Sequence, residues 1–192
     1  MPHGNLLTAA NALTLSRTAL IFPLVWCMLE GLWLWAALIF TLAAISDYYD
    51  GKVARKLDQT SPLGGLLDHG TDALLVTCGI WALASMAYVP MLLVVMIPTA
   101  FVQYMLDSKA LMGRNLVTSA LGKSNGVAYF VLLGTGIGAH TLYELHSLVS
   151  TEVWSIWQLI LIPGMEWAGW TLIVSTGLSM LDRLQMLLRG RM

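Results

Sequence analysis

The chain has 192 residues, of which 57% are hydrophobic and 11% are charged, and its mean hydropathy is +0.72. These values lie outside the usual range of soluble domains, so the composition predicts an integral membrane protein with one domain over residues 1–192. The formal net charge is −1 and no basic face accumulates along the chain. No nucleic-acid partner is therefore expected.

Apolar segments predict an all-α protein with six transmembrane helices, each able to supply about 20 residues of helix, which is enough to cross a hydrocarbon core of roughly 30 Å. The predicted spans are residues 13–29, 32–46, 66–86, 91–106, 125–142 and 167–188. A further apolar segment, Val153 to Ile162, has only ten residues before Pro163-Gly164 and is too short to cross. We expect it to form a short interfacial helix before the last span, with Trp154 and Trp157 at headgroup level. A seventh span is the alternative.

The basic residues predict the orientation of these spans. All ten lie at the N-terminal side of the first span, between the second and third spans, between the fourth and fifth, or at the end of the sixth and after it: Arg17, Lys52, Arg55, Lys56, Lys109, Arg114, Lys123, Arg183, Arg189 and Arg191. The opposite loops carry only acidic charges: Glu30, Glu144, Glu152 and Glu166. Because basic loops stay on the cytoplasmic side, both termini and the stretch from Asp47 to Asp72 are predicted to be cytoplasmic.

Four aspartates lie where the second span ends and the third begins. At about 100° per residue, Asp47 and Asp50 share one helical face if the second helix continues past the membrane surface. Asp68 and Asp72 are four residues apart and share a face of the next helix. A turn containing Pro62 and Gly64-Gly65 would bring the two faces together. His69 points to a different face.

Four carboxylates in one partly desolvated cleft repel each other unless cations neutralise them. Ligation by carboxylate oxygens alone suits Mg²⁺, Mn²⁺ or Ca²⁺, and four such groups can bridge two ions. Gly51 and Ala54 leave room for a ligand beside the helix, and the guanidinium of Arg55 suits a phosphate. The stretch therefore predicts a metal-dependent diphosphate site. The alternative for any one aspartate is a helix cap or a solvated charge, but ionisable groups at a membrane boundary are functional by default.

The complete spacing is Asp47-x2-Asp50-Gly51-x2-Ala54-Arg55-x8-Gly64-x3-Asp68-x3-Asp72. At all eight fixed positions it resembles the signature of the CDP-alcohol phosphotransferase family, also called class I CDP-alcohol phosphatidyltransferases. The six-helix topology is similar as well. The start of the chain, from Asn11 to Arg17 with Pro23 following, looks most like bacterial phosphatidylglycerophosphate synthases.

The resemblance implies a transferase that moves a phosphatidyl group from CDP-diacylglycerol to an acceptor alcohol and releases CMP. Two Mg²⁺ or Mn²⁺ ions would be bound by the aspartates, and Asp72 would also be the general base. Contacts with the CDP part of the donor would come from Asp47, Gly51, Ala54, Arg55 and Gly64. The resemblance further implies a homodimer in the bilayer, expected in the bacterial cytoplasmic membrane with its site facing the cytoplasm.

The acceptor is less well defined by the sequence. Lys109, Arg114 and Lys123 could form a pocket for a phosphorylated acceptor such as glycerol 3-phosphate, or they could serve only the cytoplasmic charge bias. Arg17 could bind a phosphate of the donor or of the acceptor, or it could anchor the first helix at the interface. Residues 122–126, GKSNG, resemble the glycine-lysine element of phosphatidylglycerophosphate synthases without its second lysine and following threonine. Inositol phosphate, serine and phosphatidylglycerol are therefore alternative acceptors.

A metal-ion transporter is the competing class of function. A transporter would favour acidic residues near the middle of the membrane, interrupted helices and inverted repeats. Here the carboxylates lie at one membrane boundary and the two halves of the chain show no repeat. The pattern favours the transferase.

Overall fold

A computed structural model describes residues 9–56, 62–107, 119–147 and 152–188. The side chains of residues 9–15, 50–51, 53–56, 62–63, 147 and 152–158 are outside the description. In the described ranges the chain forms six α-helices and no strand, which confirms the predicted all-α fold. The helices are α1 (Ala9–Leu29), α2 (Trp33–Lys56), α3 (Pro62–Ser85), α4 (Met91–Asp107), α5 (Ala120–Ser147) and α6 (Glu152–Leu188).

Two of the described helices are long and apolar enough to cross a membrane by themselves. These segments are Ala120–His146 in α5 and Leu159–Leu188 in α6. Shorter apolar segments occupy much of α1, α2 and α4. Six spans with both termini in the cytoplasm stay a prediction.

The second helix continues beyond its apolar part, as the sequence analysis predicted. It runs without a break from Trp33 through Asp47 to Lys56. In this extension the ammonium group of Lys52 lies 4.1 Å from the ring centroid of Tyr48, one helical turn earlier. Side chains four residues apart meet on a helix surface, and a cation over an aromatic ring is a stabilising contact. The extension carries Asp47 and Asp50 on one helical element.

The predicted turn at Gly64-Gly65 is wrong, because both glycines lie inside the first turns of α3. Pro62 is the first residue of the helix, where its missing N–H costs no hydrogen bond and its fixed φ favours helix formation. Glycine weakens a helix interior by only about 1 kcal/mol, so a helix already started can include it. Helix α2 is thus described to Lys56 and helix α3 from Pro62.

The predicted separate interfacial helix is also wrong. Residues 153–162 belong to α6, which continues through Pro163 for 37 residues in all. A proline inside a helix removes one hydrogen bond but does not by itself end the helix. The same tolerance holds for Pro23 in α1 and Pro98 in α4. The predicted headgroup positions of Trp154 and Trp157 lie outside the described side chains.

The helices pack as a ring in which α1 contacts α2, α2 contacts α5, α5 contacts α6, α6 contacts α4, α4 contacts α3, and α3 contacts α1. Helix α3 also crosses the ring to reach α5. This crossing is close, since a Cβ added at Gly79 would lie 2.6 Å from a methyl group of Leu133. Leu75, Ile80 and Leu83 of α3 are fully buried in the resulting core.

The two ends of the bundle differ in their connections. At one end, which we call the loop end, short turns join α1 to α2 and α3 to α4. Gly31 and Ala87 in these turns have positive φ angles of 73° and 63°. The other end, called the acidic end, holds Asp47 and the start of α3.

Candidate active site

A buried arginine lies at the centre of the acidic end. The side chain of Arg17, on α1, is 1% exposed. One of its terminal nitrogens, Nη1, is 2.8 Å from Oδ1 of Asp47 and 2.5 Å from Oδ1 of Asp72. The other, Nη2, is 3.3 Å from Oδ1 of Asp68. One guanidinium therefore gathers three of the four predicted aspartates from two different helices.

The packing of α1 explains how these side chains meet. Helix α1 contacts both α2 and α3. Arg17 on α1 therefore lies between the acidic ends of α2 and α3 and contacts carboxylates on both helices. A hydroxyl pair, Thr18 with Thr71 at 3.5 Å, adds a polar contact between α1 and α3 beside the arginine. The site is thus assembled from three helices, and Arg17 is the contact shared by all of them.

The donor atoms at this site fit a hard divalent cation. Ligand atoms of Asp68, His69 and Asp72 lie within 4.8 Å of one another. Asp47 adds a third carboxylate, because its Oδ1 and that of Asp72 contact the same arginine nitrogen. Carboxylate oxygens are the ligands that Mg²⁺ and Mn²⁺ prefer. His69 lies closer to this group than the helical-face argument suggested, since one of its ring nitrogens belongs to the cluster.

The described contacts do not test five of the predicted site residues: the metal ligand Asp50 and the donor contacts Gly51, Ala54, Arg55 and Gly64. Asp50, Gly51, Ala54 and Arg55 belong to the α2 extension, but their side chains are outside the described part of the chain. Gly64 is half-buried in the first turns of α3, not in a connecting turn. The roles given to these five residues stay predictions.

A cavity of about 530 Å³ adjoins the aspartates. Asp47, His69 and Asp72 form part of its wall. The wall continues along α4, α5 and α6, where it is mostly apolar and also includes Tyr104, Ser119, Lys123, Asn125, Tyr129, Thr176, Ser179 and Arg183. A substrate group in this cavity would therefore lie beside the carboxylate of Asp72.

Two polar groups in the cavity wall were not singled out by the sequence analysis. Asn125 is 5% exposed, and its Oδ1 accepts a hydrogen bond from the hydroxyl of Ser175 at 2.6 Å. Its amide Nδ2 and the hydroxyl of Tyr104 are buried atoms without a hydrogen-bond partner among the described residues. Buried donors left unpaired are costly, so these two groups in the cavity wall are suited to bind a polar group of a ligand.

A second buried arginine also lines the cavity. Arg183, on α6, is 4% exposed, and its Nε is 3.4 Å from Oδ2 of Asp107. The guanidinium carbon lies 4.9 Å from the ring centroid of Tyr104. Arg183 entered the sequence prediction only through the cytoplasmic charge bias. Its position beside Asp182, in a mainly apolar part of α6, was the available signal for a functional residue.

Two of the four predicted acceptor-phosphate residues, Arg17 and Lys123, lie in the described part of the chain. Lys109 and Arg114 lie outside the described residues. Lys123 is exposed on α5 and reaches the cavity wall. Arg17 is buried among the aspartates, which does not fit the alternative that it anchors α1 at the membrane interface.

Comparison with protein families agrees with the motif in this site. The family model described as CDP-alcohol phosphatidyltransferase matches residues 7–181. The chain belongs to this family. As a CDP-alcohol phosphatidyltransferase family member, it carries the family motif on α2 and α3, at the place where the described carboxylates converge.

Relatives of this family member fall into two named groups. The chain is 38% identical over 79 residues to "Cardiolipin synthase (CMP-forming)" of Streptomyces coelicolor, covering 36% of this chain and 35% of the relative. It is 46% identical over 46 residues to "CDP-diacylglycerol--glycerol-3-phosphate 3-phosphatidyltransferase" of Wigglesworthia glossinidia brevipalpis, covering 24% and 25%. It is also 33% identical over 122 residues to "CDP-diacylglycerol--glycerol-3-phosphate 3-phosphatidyltransferase 2" of Arabidopsis thaliana, covering 62% and 50%. The matched segments thus span a quarter to a half of these relatives.

Proposed function

We propose that the protein transfers a phosphatidyl group from CDP-diacylglycerol to an acceptor alcohol and releases CMP, with glycerol 3-phosphate as the first candidate acceptor. The observation that carries this proposal is the convergence of Asp47, Asp68 and Asp72 beside a cavity. Family membership supports the reaction class. Relatives named as glycerol-3-phosphate 3-phosphatidyltransferases support the acceptor.

The proposed metal ligands are Asp47, Asp50, Asp68 and Asp72, which would hold two Mg²⁺ or Mn²⁺ ions. When bound, such ions offset negative charge on the donor diphosphate and on the departing CMP. Gly51, Ala54, Arg55 and Gly64 would contact the CDP part of the donor. The carboxylate chemistry of the described residues supports this assignment.

The chemical step proposed for the chain's own residues is a proton transfer coupled to substitution at phosphorus. The carboxylate of Asp72 takes the proton of the acceptor hydroxyl, whose oxygen forms a bond to the phosphatidyl phosphorus. The bond from this phosphorus to the bridging oxygen of the diphosphate breaks, and its electron pair leaves on CMP. The apolar part of the cavity limits the access of water, which would otherwise compete as an acceptor.

Phosphatidylglycerol is the second candidate acceptor, because the cavity has a mainly apolar wall that reaches the bundle surface. Val127 and Val131 of α5 line the cavity and are each 61% exposed on the outside of the bundle. An opening between apolar exposed side chains suits an acceptor with acyl chains. A relative named cardiolipin synthase (CMP-forming) is consistent with this chemistry, since cardiolipin is phosphatidylglycerol carrying a further phosphatidyl group.

The proposed setting is a bacterial cytoplasmic membrane. Six spans would place the acidic end at the cytoplasmic surface, where a lipid donor and a water-soluble acceptor can both reach it. A homodimer is proposed from the family resemblance alone.

An acceptor panel tests the proposal. Purified protein with CDP-diacylglycerol and Mg²⁺ or Mn²⁺ would be offered glycerol 3-phosphate, phosphatidylglycerol, inositol phosphate, inositol and serine, with CMP release as the readout. We expect CMP release with glycerol 3-phosphate. Release with phosphatidylglycerol alone would replace the first candidate by the second, and no release with any acceptor would contradict the proposed reaction.

A further inference from the structure

Arg17 has a role that the transfer reaction does not require by itself. Its side chain is 1% exposed, yet it lies within 3.3 Å of an oxygen atom on each of three aspartates. Three carboxylates and one guanidinium carry a formal charge of −2. Buried charges are stable only when they are paired and hydrogen-bonded. The arginine therefore holds together three groups that would otherwise repel each other.

The oxygen atoms that Arg17 contacts belong to the proposed metal ligands. Oδ1 of Asp47, Oδ1 of Asp68 and Oδ1 of Asp72 all face the guanidinium. A divalent ion bound by the same three carboxylates would draw on the same electron pairs and would be repelled by the guanidinium charge. Like charges held close together in a partly desolvated site repel each other strongly. A guanidinium in direct contact with the carboxylates therefore competes strongly with a divalent cation for them.

We infer that Arg17 is a resident counter-cation of the metal centre, which keeps the carboxylates assembled and competes with divalent ions for them. The inference rests on the proposed function only in taking Asp47, Asp68 and Asp72 as metal ligands. It assigns Arg17 a positioning role, not contact with the acceptor. It also explains why a permanently charged guanidinium, and not a lysine, suits this place: its planar fork reaches several carboxylates at once.

Direct measurement of Mn²⁺ binding tests the inference without substrate. Purified wild-type protein and the variant Arg17→Gln would be titrated with Mn²⁺, with free Mn²⁺ followed by electron paramagnetic resonance. We expect the variant to bind Mn²⁺ at least about tenfold more tightly, because a competing charge has been removed. Arg17→Lys keeps the charge but reaches fewer carboxylates, so its affinity should lie between the two. Lys123→Gln removes a positive charge at the cavity wall that forms no ion pair with the three described carboxylates, and it should bind Mn²⁺ like the wild type.

Thermal unfolding supplies the second readout. In EDTA the melting temperature of Arg17→Gln should fall below that of the wild type, and saturating Mn²⁺ should raise it by more than it raises that of the wild type. If Arg17→Gln does not fold at any Mn²⁺ concentration, the same comparison is made with Arg17→Lys. A larger Mn²⁺-induced rise than in the wild type supports the inference, and an equal or smaller rise overturns it.

The outcomes separate this inference from the proposed function. Unchanged or weaker Mn²⁺ binding by Arg17→Gln, with normal binding by the wild type, overturns the competition and leaves the proposed reaction intact. Failure of the wild type to bind Mn²⁺ saturably overturns the metal centre and the inference together.

Discussion

The two ends of the bundle both contain buried polar groups, but they use them differently. At the loop end, the hydroxyl of Thr141 donates a hydrogen bond to the carbonyl of Trp33 at 3.0 Å. The backbone N–H of Leu34 donates to a carboxylate oxygen of Glu144 at 2.9 Å. The ring of His140 is stacked on Trp33, with centroids 4.1 Å apart. These contacts tie the start of α2 to the end of α5.

At the acidic end, the charged side chains are paired mainly with one another, although Arg183 also donates a hydrogen bond to the backbone carbonyl of Tyr104 at 3.5 Å. Arg17 contacts carboxylates, Arg183 faces Asp107, and the amide of Asn125 faces a cavity. At the loop end, side chains form hydrogen bonds with backbone groups at the start of α2, which is a structural role. The acidic end keeps polar atoms facing a space that a ligand can enter. A polar residue in an apolar bundle is therefore best interpreted by its partner, and not by its burial alone.

Asp72→Asn should have the largest effect on the acidic end. The amide cannot take a proton from the acceptor, so CMP release should fall at least about 10²-fold, while binding of the donor nucleotide stays measurable. Steady-state CMP release and nucleotide binding would be measured on the same preparation. Glu166→Gln makes the same chemical change at an exposed position on α6 near the loop end and should leave turnover unchanged. Near-normal turnover of Asp72→Asn would disprove the base assignment.

Asn125→Ala should have a smaller effect, confined to the acceptor. Removing the cavity-facing amide should lower kcat/KM for the acceptor by roughly three- to tenfold, the value of one hydrogen bond, with the KM for the donor unchanged. Ser175→Ala is the matched control, because it removes the internal partner of Asn125 but no group of the cavity wall. Equal losses in both variants would mean that Asn125 only supports the packing of α5 against α6.

Local sequence patterns predicted the helices well because helices are local structures. The apolar segments predicted six helices, and the shared face of Asp47 and Asp50 indicated that α2 continues past Asp47. The errors arose where a local signal is weak. Gly64-Gly65 and Pro163 reduce helix stability, but neighbouring residues that favour the helix can outweigh them.

The site was predicted in part, because its central contact is not local. The spacing of the aspartates identified the carboxylates, yet 55 residues separate Arg17 from Asp72. Only the packing of α1 against both α2 and α3 brings these side chains together. For the same reason, Asn125 and Arg183 had no visible partner along the sequence. Tertiary contacts of this kind have no signal in a single sequence beyond an unexpected polar residue in an apolar helix.

Glu144→Ala should affect the loop end alone. Loss of the carboxylate leaves the N–H of Leu34 without its partner and removes a negative charge from the start of α2, where it is favourable. We expect a loss of about 1 kcal/mol in the free energy of unfolding, measured as a lower melting temperature, with unchanged turnover per folded molecule. Glu144→Gln keeps an acceptor oxygen and should lose less. A fall in turnover of the folded Ala variant would show that the two ends are coupled.

Ala87→Gly should have the smallest effect and the opposite sign. The N–H of Ala87 donates a hydrogen bond to the carbonyl of Ala84, and the N–H of Tyr88 donates one to the carbonyl of Leu83, each at 3.0 Å. These bonds cap the C-terminus of α3, with Ala87 in the left-handed conformation. The equivalent turn after α1 uses Gly31, with the N–H of Leu32 donating to the carbonyl of Cys27 at 2.8 Å. A side chain with positive φ costs about 1 kcal/mol, and the freedom that glycine adds to the unfolded chain offsets part of this gain. Glycine at position 87 should therefore raise the melting temperature slightly without changing turnover. Gly31→Ala should lower the melting temperature by a comparable amount. A lower melting temperature for Ala87→Gly would mean that the flexibility which glycine adds to the unfolded chain outweighs the relief of strain.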